Sequence, residues 1–289
     1  MAHVEANGIT IEYEESGSGD PLLLVMGLNG QLIDWPSGLI DELVAQGFRV
    51  IRFDNRDAGL STEFTSTPPT TWTMMRTAAL RTRLRAEYSL ADMANDAVAL
   101  LDALGVERAH IAGMSMGGMI AQQIAIEHPQ RVLSLTSIMS TTGNPRVGRP
   151  KPKVLAYVAR RKPVPAEQAV DSAVELFRMI SGPTFSDEDF RVLAKASIAR
   201  SYRPAGTGRQ LAAILSAPDR TPGLRQLKVP TLVIHGTRDP LVRPSGGLAT
   251  AEAVPGSRLL MFNDMGHDLP NTRLTEIATA IRQNATRAT

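Results

Sequence analysis

The chain reads as an α/β protein: a mostly parallel central sheet flanked by helices, interrupted once by a helical insert. Three observations predict this. Short, continuous apolar runs alternate with amphipathic helical patterns. The opening residues carry a hairpin signal. The alternation then fails across residues 144–224, where proline-punctuated helical segments occur without a convincing strand. Strand, helix, strand in alternation means crossover connections onto a parallel sheet.

The elements follow in order. "HVEANGITIEYEE" alternates around Asn7-Gly8, which predicts a β-hairpin closed by a tight primed turn. "PLLLVMG" (residues 21–27) is a short unbroken apolar run, as expected of a strand buried on both faces. Residues 48–54, 108–113, 132–139, 230–236 and 257–262 read the same way. In "SLADMANDAVALLDALG", Leu90, Met93, Ala94, Ala97, Val98, Leu101 and Leu104 fall on one helical stripe. Ser89 with Asp92 three residues on resembles a capping box, and Gly105 marks the stop. Within the insert, "PAEQAVDSAVELFRMI" and "SDEDFRVLAKASIARSY" are the best helices. Ser186 before three acids is a strong start, because acids suit the positive end of a helix.

Composition narrows the function classes. The chain has 289 residues, with 43% hydrophobic and 21% charged, an ordinary globular balance. A net charge of +2 is too small for a general nucleic-acid binder. With no cysteine there is no disulfide or thiolate site. That fits a reducing, cytoplasmic setting, as does an N-terminus without a basic and then apolar leader. The histidines and acids lack close ligand spacing on a shared element, so no metal site is expected.

The chemistry centres on "AHIAGMSMGGMIAQ". A strand-like run ends in glycine, a serine follows, and a helix begins at once. A serine hydroxyl is a poor nucleophile and must be presented to a base and a substrate together. A sharp turn from a parallel strand into a helix does this, and the residues two before and two after must then be small. Gly113 and Gly117 meet that need around Ser115, and Gly118 allows the helix to pack close to the sheet. The bare pentapeptide is equally a glycine-rich turn with a capping serine, so the partners decide. In such a plan an acid follows one later strand and a histidine follows the next. Asp239 lies in the loop after residues 230–236, and His267 in the loop after residues 257–262. His3, His110, His128 and His235 do not follow the acid. His110 reads as a core or flank residue and His128 as a helix cap. Asp264 and Asp268 sit too near His267 in sequence to orient it, and read as loop caps or solvated charges. The Met116 amide, at the new helix N-terminus, is one candidate donor to a reacting oxyanion. The loop "MGLNG" after the 21–27 run offers the Leu28 amide as the second, with Gly27 and Gly30 allowing close approach.

On "LLLVMGLNG", "IRFDNRDAGLS", "GMSMGGMIAQ", "LVIHGTRDP" and "MGHDLP" the chain resembles the α/β-hydrolase superfamily. Its Met-Gly loop and Trp35-Pro36 pair resemble the carboxylesterase branch that includes the aclacinomycin methylesterase type. It departs from the wider superfamily at Met26, where histidine is common, and in "DNRDAG", where Asp57 and Ala58 replace the commoner Gly-x. The resemblance implies a core of residues 1–143 and 225–289 and a cap of residues 144–224. It implies that Ser115, activated by His267 and Asp239, cleaves a small apolar ester through an acyl-enzyme, without a cofactor. Two other readings stand beside this one: a carbon–carbon bond hydrolase with the same triad, and a non-catalytic ligand-binding protein on the same fold. The apolar candidates for cap lining are Leu155, Tyr157, Leu176, Phe177, Met179, Ile180, Leu211 and Ile214, most of them better read as packing. Two basic segments, with Arg81, Arg83 and Arg85 in one and Arg160, Arg161 and Lys162 in the other, are compatible with an anionic lipid surface. Solvated surface is the reading preferred for them.

Overall fold

The computed structural model describes residues 1–80, 84–160 and 164–288. Eight strands form one sheet: β1 (Ala2–Ala6), β2 (Ile9–Ser16), β3 (Asp20–Val25), β4 (Phe48–Phe53), β5 (Ala109–Met114), β6 (Val132–Ile138), β7 (Thr231–Gly236) and β8 (Arg258–Phe262). Their order is β1-β2-β4-β3-β5-β6-β7-β8. The β1–β2 and β2–β4 pairs are antiparallel and every later pair is parallel. The hairpin turns at Asn7 (φ 50°) and Gly8 (φ 74°), the two left-handed residues that a primed turn requires.

The unbroken apolar strands have a direct cause. Leu22 and Leu24 of β3 point into one core layer, whereas Leu23 and Val25 point into the other. Each layer is closed by helices. α3 (Leu90–Ala103) and α4 (Met116–Glu127) cover one face. α1 (Ser37–Ala45) and α11 (Leu274–Ala285) cover the other. The capping box of α3 forms as expected: Ser89 Oγ accepts the Asp92 amide at 3.2 Å and Asp92 Oδ2 accepts the Ser89 amide at 2.8 Å. The stripe from Leu90 to Leu101 is buried, and burying each of its leucine, methionine and valine side chains stabilises the fold by roughly 1.5–3 kcal/mol.

Between β6 and β7 the described residues form five helices: α5 (Pro152–Arg160), α6 (Ala166–Ile180), α7 (Asp187–Arg200), α8 (Pro204–Ser216) and α9 (Thr221–Leu224). No strand interrupts them among the described residues. Ser186 caps α7 by accepting the Asp189 amide at 3.2 Å. The short α9 packs on α4 and on α10 (Ser245–Ala253). α2 (Thr71–Leu80) leans on α8 through Met74. Of the six basic residues singled out above, Arg81, Arg83, Arg161 and Lys162 fall outside the described residues; Arg85 and Arg160 are exposed. Among the described residues no helix is long and apolar enough to cross a membrane.

Candidate active site

Ser115 sits between the end of β5 and the start of α4 with φ 56° and ψ −119°. A non-glycine residue there carries strain of about 1–3 kcal/mol and persists only where neighbours hold it. They do: the Ser115 amide donates to Ile138 O at 2.9 Å, and the Ser115 carbonyl accepts Ser140 Oγ at 2.8 Å. Both ties come from the end of β6. Space explains the glycines around the corner. A Cβ on Gly113 would run into the Gly117 carbonyl, and one on Gly117 into the backbone of Val25. On Gly118 it would lie 2.6 Å from Ser140 Cβ.

The three candidate side chains come together at the carboxyl ends of the strands. Ser115 Oγ lies 2.9 Å from His267 Nε2. His267 Nδ1 lies 2.7 Å from Asp239 Oδ2. The other carboxylate oxygen, Asp239 Oδ1, accepts the amides of Leu241 (2.8 Å) and Val242 (2.9 Å). Asp239 and His267 are buried, whereas Ser115 remains half-exposed at the corner. The carboxylate therefore faces Nδ1, and the other ring nitrogen faces the hydroxyl. With an N–H on Nδ1, Nε2 is free to accept the serine proton.

Of the remaining histidines, His3 is exposed on β1, and His235 lies against this row, its Nε2 3.6 Å from Asp239 Oδ2. His235 Nε2 bonds Val242 O at 2.8 Å, and burial pulls its pKa down, so it stays neutral beside Asp239. His110 meets Ser134 Oγ at 2.8 Å within the sheet, and His128 caps α4 and meets Asn95 Oδ1 at 2.8 Å. Asp264 pairs with Arg273 at 3.0 Å, which holds its pKa low. Asp268 is a loop tie: its Oδ1 accepts the amides of Gly266 (2.9 Å) and Gly182 (2.8 Å), while burial pushes its pKa up. It joins the His267 loop to the end of α6, and the His267 amide donates to Ile180 O at 2.8 Å.

Met116 is the first residue of α4, so its N–H has no acceptor within the helix. Gly27 lies against the serine, since a Cβ there would be 3.2 Å from Ser115 Cβ. The next amide, that of Leu28, thus belongs to the turn beside the hydroxyl. Of the expected lining residues, Leu155 is 52% exposed, and Ile180 is buried. Phe177 stacks on Phe190, Leu211 joins the cluster of Met74 and Leu84, and Ile214 packs on the core. Tyr157 and Met179 line an open cleft of about 570 Å³ between α5 and α6.

Sequence reasoning assigned no role to "DNRDAG", and the structure makes it a hub. Asp54 accepts the amides of Leu32 (2.7 Å) and Leu60 (2.9 Å) and pairs with Arg200 of α7 at 2.7 Å. Asn55 donates to Met26 O at 3.0 Å. Arg56 forks onto Asp96 with two contacts of 2.6 Å. Asp57 takes φ 68°, and receives a bidentate Arg209 (2.8 and 2.8 Å), Tyr88 Oη (2.6 Å) and the Phe64 amide (2.8 Å). Aspartate tolerates the left-handed conformation better than most residues. Its carboxylate then gives α8 a buried anchor. The departure from the commoner superfamily pattern was visible; its partner, 152 residues away, was not.

A serine at a strand-to-helix corner, bonded to a histidine that is bonded to a carboxylate, above a sheet of this order, defines the α/β-hydrolase class of architecture. A family model described as the alpha/beta hydrolase fold matches residues 20–270, and the chain belongs to that family. It is 29% identical to the rhodomycin D methylesterase DauP of Streptomyces sp. (strain C5), covering 94% of both chains. It is also 29% identical to a 2-hydroxymuconate semialdehyde hydrolase of Pseudomonas sp. (strain CF600), over 91% of this chain and 85% of that one. Among solved structures, a meta-cleavage product hydrolase from Pseudomonas fluorescens IP01 superposes with a TM-score of 0.77 at 20% identity, covering 100% and 98% of the two chains.

Proposed function

We propose that the protein is a serine hydrolase of small, apolar carboxylic esters, working through an acyl-enzyme. The observation that carries this reading is the unbroken row from Ser115 Oγ to His267 (2.9 Å) and on to Asp239 (2.7 Å). His267 Nε2 takes the hydroxyl proton as Oγ attacks the ester carbonyl. Asp239 holds the ring and stabilises its charged form. The amides of Leu28 and Met116 receive the negative oxygen, and losing one such donor costs about 3 kcal/mol of barrier. His267 then protonates the departing alcohol. Water, deprotonated by the same nitrogen, releases the acid and restores Ser115. These steps use side chains, two amides and water. The methylesterase relative supports ester chemistry.

Helices α5 to α8, within residues 144–224, act as the cap in this reading, since Ile180 and Gly182 touch the His267 loop. A carbon–carbon bond hydrolase keeps a place because of the 2-hydroxymuconate semialdehyde hydrolase relative. The test is a series of p-nitrophenyl esters followed in the pre-steady state. An acyl-enzyme that forms faster than it is hydrolysed gives a burst of nitrophenol approaching the active-site concentration, and Ser115→Ala should lower kcat by about 10⁶-fold with folding intact. A Ser115→Ala protein that keeps most of its esterase activity refutes the assignment. Cleavage of a vinylogous diketone with no ester turnover would favour the carbon–carbon reading.

A further inference from the structure

The turn from Gly27 to Gly30 is held by more than its own backbone. Three consecutive peptide groups are each tied. The Met26 carbonyl accepts Asn55 Nδ2 at 3.0 Å. The Gly27 carbonyl accepts the Gly30 amide at 3.1 Å, which closes the turn. The Asn29 amide donates to Gln210 Oε1 at 2.8 Å. Gln210, on α8, is wholly buried, and its other end donates to Arg56 O at 2.7 Å. One turn earlier on α8, Thr207 Oγ1 donates to Asn29 Oδ1 at 2.6 Å.

These ties bear on one amide. The N–H of Leu28 shares a peptide plane with the Gly27 carbonyl and points away from it. Fixing that carbonyl inside the turn therefore aims the N–H out of it, and the preceding residue, Gly27, abuts Ser115. Asn29 holds φ 61°, a region asparagine enters more readily than most residues. Its amide is tied to a wholly buried side chain of α8, so the turn cannot shift outward without leaving Gln210 Oε1 unpaired. A shift of the turn would carry the Leu28 amide with it.

We propose that Gln210 is a positioning residue: from the insert, it holds the Gly27–Gly30 turn so that the Leu28 amide meets the developing oxyanion. This deepens the serine-hydrolase reading and rests on it. The insert thereby contributes to the chemical step as well as to the walls of the site. Arg209, next in the chain, supplies the anchor, because its bidentate bond to Asp57 sets the depth of α8.

The test replaces Gln210 by leucine, similar in bulk but unable to bond. The probe is a trifluoromethyl ketone. Ser115 Oγ adds to its carbonyl carbon, the proton passes to His267, and the carbonyl oxygen becomes a stable oxyanion. Gln210→Leu should lower kcat by about 10- to 100-fold with KM within about threefold, since displacing one donor acts only on the charged intermediate. Affinity for the trifluoromethyl ketone should fall by the same factor. A residue that merely packs α8 would lower the thermal midpoint without this matched fall in kcat and inhibitor affinity. If Gln210→Leu does not fold, Thr207→Val carries the test, with a fall of about threefold in kcat and in inhibitor affinity, as one lost hydrogen bond implies. An unchanged kcat, a change in KM alone, or a loss of rate with inhibitor affinity intact overturns the proposal. Labelling by a fluorophosphonate separates the two levels. If wild-type Ser115 is not labelled, the hydrolase reading fails. If it is labelled and Gln210→Leu behaves as wild type, only the role of Gln210 fails.

Discussion

Asp239→Asn is the sharpest test of the hydrogen-bonded row, because the structure dictates which way the new amide must turn. Asp239 Oδ1 accepts two backbone amides, at 2.8 Å and 2.9 Å, and Oδ2 faces His267 Nδ1 at 2.7 Å. Asparagine has one acceptor oxygen and one donor nitrogen to share between these sites. Aiming the NH₂ at Leu241 and Val242 would oppose two N–H groups and forfeit two bonds, at about 1 kcal/mol each and more for buried donors left unpaired. The oxygen therefore stays with the amides and the NH₂ turns to His267. Nδ1 must then accept, and the ring proton moves to Nε2, where it points at Ser115 Oγ. The base is lost while the shape survives. The expected fall in kcat is on the order of 10⁴-fold, or about 5.4 kcal/mol of barrier. It is read from p-nitrophenyl butyrate hydrolysis near pH 7.5, with the thermal midpoint checked to confirm folding. A loss under about tenfold would sink the tautomer argument. So would a larger loss in Asp264→Asn or Asp268→Asn. Asp264 pairs with Arg273, away from the row, and the amide introduced by Asp268→Asn would keep an oxygen for Gly182 and Gly266.

Three further outcomes are expected. Arg209→Met should cost about 3–5 kcal/mol in urea unfolding, because it leaves the buried Asp57 carboxylate without its cation; a loss under 1 kcal/mol would deny Arg209 its anchoring role. Gly113→Ala should destabilise by about 1–3 kcal/mol and abolish fluorophosphonate labelling, as its Cβ meets the Gly117 carbonyl; an active, stable variant would contradict the elbow geometry. Burial lowers the pKa of His110 to about 4 from an ordinary value of 6.5, so the folded state binds its proton less readily than the unfolded chain. Its contribution to stability is then complete above pH 6.5 and fades as the pH falls toward 4. By linkage this is worth at most about 3 kcal/mol, and His110→Gln should flatten that part of the urea-midpoint profile; an unchanged slope would show that His110 is not its source.

Much of the architecture was legible because it rests on local rules. Apolar runs marked the strands because both faces of the sheet are covered. The Ser89 box, the Ser186 cap and the Asn7-Gly8 turn form as their residues require. The order serine, acid, histidine picked out Ser115, Asp239 and His267 because each lies just beyond a recognisable strand. The role of "DNRDAG" was not legible, although the segment stood out. Asp57 meets Arg209 and Asn29 meets Gln210 across separations of 152 and 181 residues, on a helix whose glycines hint at a close approach without naming the partner: a Cβ on Gly206 would run into the Asp57 carbonyl. The open cleft between α5 and α6 likewise depends on how two amphipathic helices lean together.

By itself, then, the sequence determined which elements form and which residues stand at the ends of strands, since propensity, patterning and turn chemistry act within a few residues. Tertiary structure alone decided how the insert engages the turn at Gly27–Gly30 and which carboxylates become buried anchors. Those outcomes depend on side chains far apart in sequence that only the assembled fold brings together. Their strength comes from burial, where an unpaired polar group is costly, so each partner holds the other in one geometry.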